Sequence, residues 1–261
     1  MHLKKHRSEQ RCFLVEGPTT VEAALASNAV VLERIFVHPD VEHPAAAAIA
    51  KAAGVPVFAV DERTMRSLAH TQTPQGIVAV ARFFDQAVDR LAASTGDESR
   101  PLLVVILHDI GDPGNAGALI RSADAFGAGA ICFGHNGVDP YNEKVVRASM
   151  GSMFHLPLLR YEAWPQMAQA ARAAHLTVIG AQAGAPDVRG AAIPERVALL
   201  VGHERRGLSG VPADDIGTHV GIPQSARAES LNAAVAGSIV MYEIARISGS
   251  LPTSAARTNN A

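Results

Sequence analysis

The sequence predicts an α/β protein built around a mainly parallel β-sheet with helices on both faces. Residues Leu102–Leu107 form a continuous apolar run, which is typical of a strand buried within a parallel sheet. Strand-forming and helix-forming segments alternate along most of the chain. Of the 261 residues, 48% are hydrophobic and 18% are charged, so the chain can bury a substantial core and is not disordered.

Residues 1–85 are predicted to form a small α/β module. Pro18 stands where a helix would begin, and Asp61 is a candidate N-cap for a later helix. The predicted strands are Cys12–Glu16, Arg34–His38, Val55–Val60 and Gly76–Phe84, and the predicted helices are Thr19–Ser27, Ala45–Ala53 and Glu62–Ala69.

A second module follows a linker over residues 86–101, in which Ser, Thr, Gly and charged residues succeed one another before Pro101. This module is predicted to span residues 102–248, and residues 249–261 to form a flexible tail. After Leu102–Leu107, its predicted strands are Ala130–Phe133, His155–Leu159, Thr177–Ala181, Val197–Val201 and Thr218–Ile222, and its predicted helices are Ala116–Phe126, Glu162–Ala174 and Leu231–Ile247.

Composition argues against a membrane or exported protein. The sequence has no run of uncharged apolar residues long enough to span a bilayer, and its N-terminus is charged. Cys12 and Cys132 are far apart and form no Cys-x-x-Cys pair, as expected in a reducing cytoplasm, where they are predicted to be buried and inert. We therefore expect a cytoplasmic protein that does not contact a membrane.

A metal site is not predicted. His38, Glu42 and His43 are the nearest approach to a ligand cluster, but Pro39 and Pro44 indicate a surface turn there.

Positive charge is concentrated at the N-terminus, although the net charge of the chain is −2. Lys4, Lys5, Arg7 and Arg11 stand against the single acid Glu9 in the first eleven residues. Such a cluster could contact the phosphate backbone of a nucleic acid. A solvated, frayed tail explains it equally well when this stretch is considered alone.

Five polar residues stand at the edges of predicted strands and helices. Asn115 could be an N-cap in the turn Asp-Pro-Gly-Asn, and Ser230 could cap the last helix. Arg121 faces small neighbours on its helix, which leaves its guanidinium accessible, although an ordinary surface arginine paired with Asp124 would account for it. Glu204 could be an ordinary loop residue. Asn232 is unexpected, because Asn is a poor helix former before an apolar run, and its amide suggests a specific contact.

Several common nucleotide and hydrolase motifs are absent. The segment Gly-Asp-Pro-Gly-Asn-Ala-Gly lacks the spacing of a dinucleotide fingerprint, and the chain contains neither a P-loop nor a Gly-x-Ser-x-Gly elbow. An NAD-dependent enzyme or a P-loop enzyme is therefore disfavoured.

Three segments resemble, in order and spacing, the motifs of the SpoU/TrmH class of SPOUT methyltransferases: DPGNAGALIRSADAFG, VGHERRGLS and IPQSARAESLNAAVAGSIVMYE. The resemblance implies S-adenosylmethionine as cofactor, methylation of a ribose 2′-hydroxyl in RNA, a homodimer and a C-terminal trefoil knot. The N-terminal module, with KKHRSEQRCFLVEGPTTVEAAL and TPQGIVAVA, resembles the ribosomal-protein-like RNA-binding domain of members that act on ribosomal RNA.

The resemblance also implies roles for individual residues. Its catalytic set corresponds to Asn115, Arg121, Glu204, Ser230 and Asn232. Cofactor contacts, made largely by backbone, correspond to Ala181, Gln182, Gly202, His203, Glu204, Gly207, Ile222, Ser230 and Leu231. Contacts with RNA correspond to Lys4, Lys5, Arg7, Arg11 and Arg121. His203 and Ala233 depart from the residue types that the family uses most often.

Two rival functions are weighed against methylation of 23S ribosomal RNA. The same enzyme class acting on transfer RNA is one, and the additional N-terminal module argues against it. A non-catalytic RNA-binding or ribosome-assembly factor is the other, and the intact set of five polar residues argues against that.

Overall fold

The computed structural model describes residues 3–38, 54–69, 71, 73–96, 100–225, 230–249 and 251. The chain forms two compact units. The first comprises Met1–Phe84 together with Asp139–His155, and the second comprises Asp85–Val138 and Leu156–Ala261. Residues 139–155 thus pack with the N-terminal module, although they lie inside the second module in sequence.

The secondary structure of the described residues follows. The strands are β1 Cys12–Glu16, β2 Leu32–Val37, β3 Val57–Ala59, β4 Ile77–Arg82, β5 Gln86–Ala87, β6 Leu102–Leu107, β7 Ala130–Gly134, β8 Leu158–Tyr161, β9 Thr177–Ala181, β10 Arg196–Val201 and β11 Thr218–Val220. The helices are α1 Lys4–Gln10, α2 Pro18–Ala26, α3 Glu62–Leu68, α4 Leu91–Thr95, α5 Pro113–Ala125, α6 Glu143–Ala148, α7 Trp164–Ala173 and α8 Ala233–Ser248.

The first unit contains a sheet of order β1-β4-β2-β3. Strand β4 pairs antiparallel with both β1 and β2, and β3 adds parallel to β2. Helix α3 begins as predicted, because the Asp61 side chain accepts a hydrogen bond from Thr64 N at 2.7 Å. The predicted helix Ala45–Ala53 and the candidate ligands Glu42 and His43 lie outside the described residues.

An aromatic cluster joins the segment 139–155 to the sheet of the first unit. The Tyr141 ring stacks on Phe83 with centroids 3.9 Å apart and lies 4.7 Å from the Phe13 ring. Its hydroxyl accepts a hydrogen bond from Phe84 N at 2.8 Å. Because Tyr141 and Phe13 are almost fully buried, this segment is part of the core of the unit.

The N-terminal basic segment is an ordered helix, so the interpretation as a frayed tail is wrong. Arg7 on α1 is only 4% exposed and donates from Nη2 to Asp139 Oδ2 at 2.7 Å, with Glu143 at 3.8 Å. Since this guanidinium is occupied and enclosed, Arg7 is not available to an RNA phosphate, contrary to expectation. Lys4, Lys5 and Arg11 are exposed, and the Arg11 guanidinium lies 5.1 Å from the centroid of the Phe83 ring.

The second unit confirms the predicted α/β architecture. Its sheet has the order β11-β9-β10-β6-β7-β8-β5, and every pairing is parallel. Strand β6 is buried along its whole length, as its continuous apolar run predicts. Alternate β6 residues face a core formed with α4 and α7 on one side of the sheet.

Helices α5 and α8 pack together, and α8 also packs against strands β6, β9 and β10 of that sheet. Gly237 makes this approach close, because a methyl group there would lie 2.6 Å from Leu119 Cδ2 and 3.3 Å from Val201 Cγ2. Ser122 on α5 and Ser238 on α8 also share a hydrogen bond of 2.6 Å. The two helices are therefore held in a fixed relation to the strand ends where the polar loops lie.

Several strands and helices begin at residues other than those predicted. The strand predicted at His155–Leu159 begins only at Leu158, because Pro157 has no N–H for the ladder and residues Ser152–Phe154 form a 3-10 turn. Helix α5 begins three residues earlier than predicted, at Pro113, and α8 begins two residues later than predicted, at Ala233. Helix α6 and strand β5 are short and were not predicted.

No helix in the described parts of the chain is long and apolar enough to cross a bilayer.

Candidate active site

Polar loops converge at one edge of the parallel sheet in the second unit. The segments after β6, β9, β10 and β11 all leave the sheet at the carboxyl ends of their strands, where parallel α/β proteins place their binding sites. Strands β6, β10 and β9 are direct neighbours in the sheet, so their loops are adjacent.

A cavity of about 770 Å³ lies among these loops. It is lined by every residue that was predicted to contact the cofactor: Ala181, Gln182, Gly202, His203, Glu204, Gly207, Ile222, Ser230 and Leu231. The cavity also includes Asn232 and the first turns of α8, whereas Asn115 and Arg121 are not among its lining residues. Residues from distant parts of the sequence thus share one concave surface.

Glu204 is the centre of a hydrogen-bond network that ties two loops together. Its Oε1 accepts from Asn115 Nδ2 at 2.9 Å and from Asp112 N at 3.3 Å, and its Oε2 accepts from Gly111 N at 3.3 Å. The loop after β10 is thereby fixed against the loop after β6 and the N-terminus of α5. A carboxylate in that position is favoured, since backbone N–H groups point out of the first turn of a helix.

Asn115 extends the network to the last helix. While its amide nitrogen donates to Glu204, its Oδ1 accepts from Asn232 Nδ2 at 2.9 Å. The side chains of Glu204, Asn115 and Asn232 therefore form one continuous chain of hydrogen bonds across three segments that are far apart in sequence.

The two helix caps differ from the expected ones. Asp112 caps α5 by accepting from Asn115 N at 2.7 Å, so Asn115 is not the N-cap and its side chain is free to bridge. Asn232 caps α8 by accepting from Ala234 N and Val235 N at 2.8 and 3.2 Å, a role that was assigned to Ser230. Ser230 is exposed and lines the cavity.

The pKa of Glu204 responds to opposing effects. Partial burial raises it, but the hydrogen bond from Asn115 and those from the backbone N–H groups of Glu204, Gly111 and Asp112 outweigh that effect, so the pKa lies below its ordinary value. The carboxylate is consequently ionised at neutral pH and acts as an anchor for donors, not as a proton donor.

The loop after β10 is closed by a pair of backbone hydrogen bonds between His203 and Gly207, at 3.0 and 2.8 Å. Gly207 has φ of +56°, and a methyl group at Gly202 would lie 2.2 Å from Gly207 O. Both glycines are therefore required by the shape of the loop. Inside it, the His203 ring nitrogen Nδ1 accepts from Arg205 N and Arg206 N at 3.0 and 3.4 Å.

Arg121 lies on α5 about 9 Å along the helix axis from Asn115, by the rise of an α-helix. Its side chain is exposed, and the structure shows no hydrogen bond or ion pair of Arg121 with a described residue. The structure leaves this guanidinium available to a ligand or to another chain.

Two features of the site were not predicted. Arg206 pairs with Asp109 at 3.7 Å, and Asp109 has φ of +59°, a conformation that Asp tolerates better than most residues. His219 on β11 also lines the cavity, and its Nδ1 is enclosed without a hydrogen-bond partner among the described residues. A charged pair across two loops leaves no local sequence signal. His219 could have been noticed as the histidine of the short strand β11, which consists of Thr218, His219 and Val220.

Replacing Glu204 by Gln is expected to lower the free energy of unfolding by about 1 kcal/mol at neutral pH, because an amide nitrogen would face N–H donors. A carboxyl with a lowered pKa contributes stability above its unfolded pKa of about 4.3 and loses that contribution as the pH falls through the lower folded value. The difference between wild type and variant should therefore shrink in acid. Urea unfolding of wild type and variant at neutral pH and at acidic pH measures this difference in the free energy of unfolding, with the exposed Glu162→Gln as control. Equal stability of wild type and Glu204→Gln at neutral pH would contradict the anchoring role.

Comparison with known proteins connects this geometry to a family. Residues 102–242 match the model of the SpoU rRNA Methylase family, and residues 1–79 match the MRM3-like substrate binding domain. The chain is 33% identical over 248 residues to the 23S rRNA (guanosine(2553)-2′-O)-methyltransferase RlmP of Bacillus subtilis, covering 94% of this chain and 92% of the relative.

Solved structures share the fold over nearly the whole chain. An AdoMet-bound rRNA methyltransferase from Sinorhizobium meliloti is 31% identical with a TM-score of 0.79, covering 94% of this chain and 91% of that one. The SpoU methyltransferase AviRb from Streptomyces viridochromogenes, in complex with AdoMet, is 27% identical with a TM-score of 0.82, covering 95% of each chain. The family match spans strands β6 to β11 and all the polar loops at their carboxyl ends, and the chain belongs to the SpoU rRNA methylase family.

Proposed function

We propose that the protein transfers a methyl group from S-adenosylmethionine to a ribose 2′-hydroxyl of 23S ribosomal RNA. The observation that carries this proposal is the cavity at the sheet edge, which gathers residues of the second and third motifs. Hydrogen bonds from Asn115 of the first motif to Glu204 and Asn232 tie that motif to the same site. Relatives that cover most of the chain are named as 23S ribosomal RNA 2′-O-methyltransferases, RlmP among them.

The cavity suits this cofactor in size and in chemistry. Its volume of about 770 Å³ lies within the range of roughly 300–1,000 Å³ that is usual for small-molecule sites. Leu208, Val211 and Ile216 give it an apolar wall suited to a purine, and the polar loop residues suit an amino-acid group. Gly180 makes room for that wall, since a methyl group there would lie 2.7 Å from Leu208 Cδ1 and 2.9 Å from His219 Nδ1.

Within the site, this chain's residues bind and orient the reactants. The cofactor supplies an electrophilic methyl group carried by a sulfonium. Asn115, Glu204, Ser230 and Asn232 hold the loops and the ribose, and positioning of this kind accounts for much of the rate in such reactions. Arg121 grips an RNA phosphate and stabilises negative charge that develops on the hydroxyl oxygen, while the proton leaves to phosphate or water. A guanidinium remains protonated, so we do not assign Arg121 as a base.

We also propose the trefoil knot. Support comes from how tightly the chain after β11 passes residues 182–188. Gln182 N donates to Val220 O at 2.9 Å, and Gly221 N donates to Pro186 O at 2.7 Å. A methyl group at Gly221 would lie 2.6 Å from Ala185 O, so only glycine permits the crossing. The methyltransferase domain, predicted at residues 102–248, would also include β5 and α4, which lie in the predicted linker but belong to the second unit. It would exclude Asp139–His155, which packs with the first unit.

The N-terminal unit is proposed to bind the RNA substrate. Its match to a substrate-binding family supports this role, as do the exposed side chains of Lys4, Lys5 and Arg11. These cations would contact the phosphate backbone without reading sequence, and unpaired bases would provide specificity. Arg7 is omitted from this set because it is enclosed by Asp139.

A homodimer through α8 is the third structural proposal. Val235, Ile239 and Tyr242 are 48%, 39% and 43% exposed, and their spacing places them on one face of the helix. Phe126, which follows the last residue of α5, packs edge-on against Tyr242 with ring centroids 5.6 Å apart, and this widens the apolar surface. A second copy would cover this surface, and it would bring an exposed Arg121 close to the partner's loops.

Replacing Ile239 by Asp is expected to convert the dimer to a monomer, because a carboxylate would be buried without a partner at the interface. Light scattering after size-exclusion chromatography measures the mass, and circular dichroism checks that the fold is kept. Met150, 49% exposed on the other unit, provides the control Met150→Asp, which should leave the mass unchanged. A wild-type protein that is monomeric at micromolar concentration would refute the proposal.

The function is tested by mapping 2′-O-methyl groups in large-subunit RNA from cells with and without the protein. We expect one ribose methylation to disappear without it and to return with the wild type, but not with Arg121→Ala. A methyl group lost from transfer RNA instead would redirect the substrate assignment, and failure to bind S-adenosylmethionine in calorimetry would favour a non-catalytic factor. Action on ribosomal RNA would place the protein in the cytoplasm.

A further inference from the structure

The imidazole of His203 is held in one orientation by its own loop. Its Nδ1 accepts hydrogen bonds from Arg205 N at 3.0 Å and Arg206 N at 3.4 Å. A backbone N–H can only donate, so Nδ1 must be the unprotonated nitrogen, and the ring is the neutral tautomer that carries its proton on Nε2. His203 thus stabilises its turn by accepting hydrogen bonds from backbone N–H groups, as an Asn or Ser side chain often does.

Unlike Asn or Ser, the ring presents a second polar atom on its far side. Nε2 has no hydrogen-bond partner among the described residues and is not enclosed. His203 lines the cavity with its side chain 25% exposed, so the N–H group on Nε2 is both fixed in direction and accessible. The loop would need only Nδ1 for its own stability, and the second nitrogen therefore remains to be explained.

The N–H group faces a space that a glycine leaves open. A methyl group at Gly111 would lie 3.8 Å from Glu204 Oε2 and 3.9 Å from His203 Nε2. A hydrogen-bond donor and a carboxylate acceptor therefore both border the space over Gly111. A phosphate would be repelled by that carboxylate. A hydroxyl group fits, because it can accept from the imidazole and donate to the carboxylate at the same time.

We propose that His203 Nε2 and Glu204 Oε2, across Gly111, bind a ribose hydroxyl of the RNA substrate. This inference rests on the proposed function and deepens it, since it assigns His203 to substrate recognition and not only to the loop that holds the cofactor. Recognition of a ribose hydroxyl also gives the site a means of accepting RNA and rejecting DNA, which differ in that group.

Two substitutions separate substrate binding from support of the loop. His203→Asn keeps an acceptor where Nδ1 lies, so the turn is capped, but it removes the Nε2 donor. Gly111→Ala fills the space with a methyl group at ordinary van der Waals distances, and the φ of Gly111 is outside the left-handed region, so little strain is expected. His135→Asn is the matched control, because His135 is half-exposed, pairs with Glu162 and does not line the cavity.

The first measurement compares the KM for 23S ribosomal RNA transcribed in vitro with the Kd for S-adenosylmethionine. For His203→Asn and Gly111→Ala we expect the KM to rise about five- to tenfold, in line with the loss of one hydrogen bond, with Kd and melting temperature close to wild type. An unchanged KM in both variants would overturn the inference. So would a weakened Kd with an unchanged KM, which would assign the ring to the cofactor instead. Inactive wild-type protein would refute the proposed function itself.

The second measurement identifies the group that is bound. RNA substrates carrying single 2′-deoxy substitutions around the mapped target should include one position at which wild type loses about five- to tenfold in kcat/KM. His203→Asn should be insensitive to that same substitution, because the contact is already absent. If the variant loses as much as wild type at every position, His203 does not bind a ribose hydroxyl.

Discussion

Replacing Arg121 by Ala should reduce methyl transfer by about 10²- to 10³-fold, which is the usual effect of removing one preorganised donor from a site where charge develops. The exposed guanidinium makes no hydrogen bond or ion pair with a described residue. Its removal therefore leaves no acidic residue without a counter-charge and should not destabilise the fold. Because Arg121 does not line the cavity, the Kd for S-adenosylmethionine should remain within about twofold. Transfer of tritiated methyl to 23S ribosomal RNA gives the rate, and calorimetry gives the affinity.

Arg121→Lys distinguishes a planar, two-pronged contact from simple positive charge. Lysine offers a compact ammonium that cannot form two parallel hydrogen bonds with a phosphate. We expect most of the methyltransferase activity to be lost in this variant as well. Near-full turnover would show that two parallel hydrogen bonds from the guanidinium to phosphate are not required. Arg172→Ala serves as the control, since Arg172 is an exposed arginine on α7, a helix that contributes nothing to the cavity.

The convergence of the site could be predicted from sequence because of a general property of parallel sheets. Once Leu102–Leu107, Thr177–Ala181 and Val197–Val201 are identified as parallel strands, their carboxyl ends must lie on one edge. Ala181 and Gln182 lie at the end of the first of the last two strands, and Gly202 to Gly207 follow the second. The other predicted cofactor residues, Ile222, Ser230 and Leu231, come after β11, and the structure brings all of them to one cavity. That inference requires the order of strands and loops along the chain, not their exact boundaries.

The exchange of caps shows where local sequence becomes ambiguous. Asp112 and Asn115 are both good capping residues, as are Ser230 and Asn232, and each pair lies within one helical turn. Propensity cannot choose between neighbours of equal preference. Tertiary contacts decide: Asn115 is drawn to Glu204 and Asn232, which leaves Asp112 to cap α5.

The buried ion pair of Arg7 with Asp139 could not be predicted from the residues near Arg7 in sequence. Its partner Asp139 lies 132 residues away and belongs in sequence to the other module. The sequence of a basic segment is the same whether its side chains face solvent or pair with an acidic residue that is distant along the chain. Lys4 and Lys5 remain exposed while Arg7, on the same short helix, is enclosed, so the charge pattern indicated a surface that is only partly present.

This buried pair predicts the largest effect on stability. Replacing Arg7 by Met should lower the free energy of unfolding of the N-terminal unit by about 3–5 kcal/mol, because Asp139 would remain a buried carboxylate without a counter-charge. Asp139 is 8% exposed and also accepts from Tyr141 N at 3.1 Å, so relaxation into solvent would disturb the aromatic cluster. Denaturant unfolding followed by tyrosine fluorescence measures the loss. Lys5→Met, which breaks the exposed pair of Lys5 with Glu9 at 3.9 Å, should change stability by less than about 0.5 kcal/mol.

A second substitution distinguishes lost charge pairing from lost packing. In Arg7→Met with Asp139→Asn, the uncompensated charge is gone while the amide oxygen can still accept from Tyr141 N, so part of the stability should return. If the double variant were as unstable as Arg7→Met alone, the arginine would act through its packing and not through its charge. If Arg7→Met itself were as stable as wild type, the guanidinium would not be enclosed in solution, and Arg7 would again be a candidate for contact with RNA.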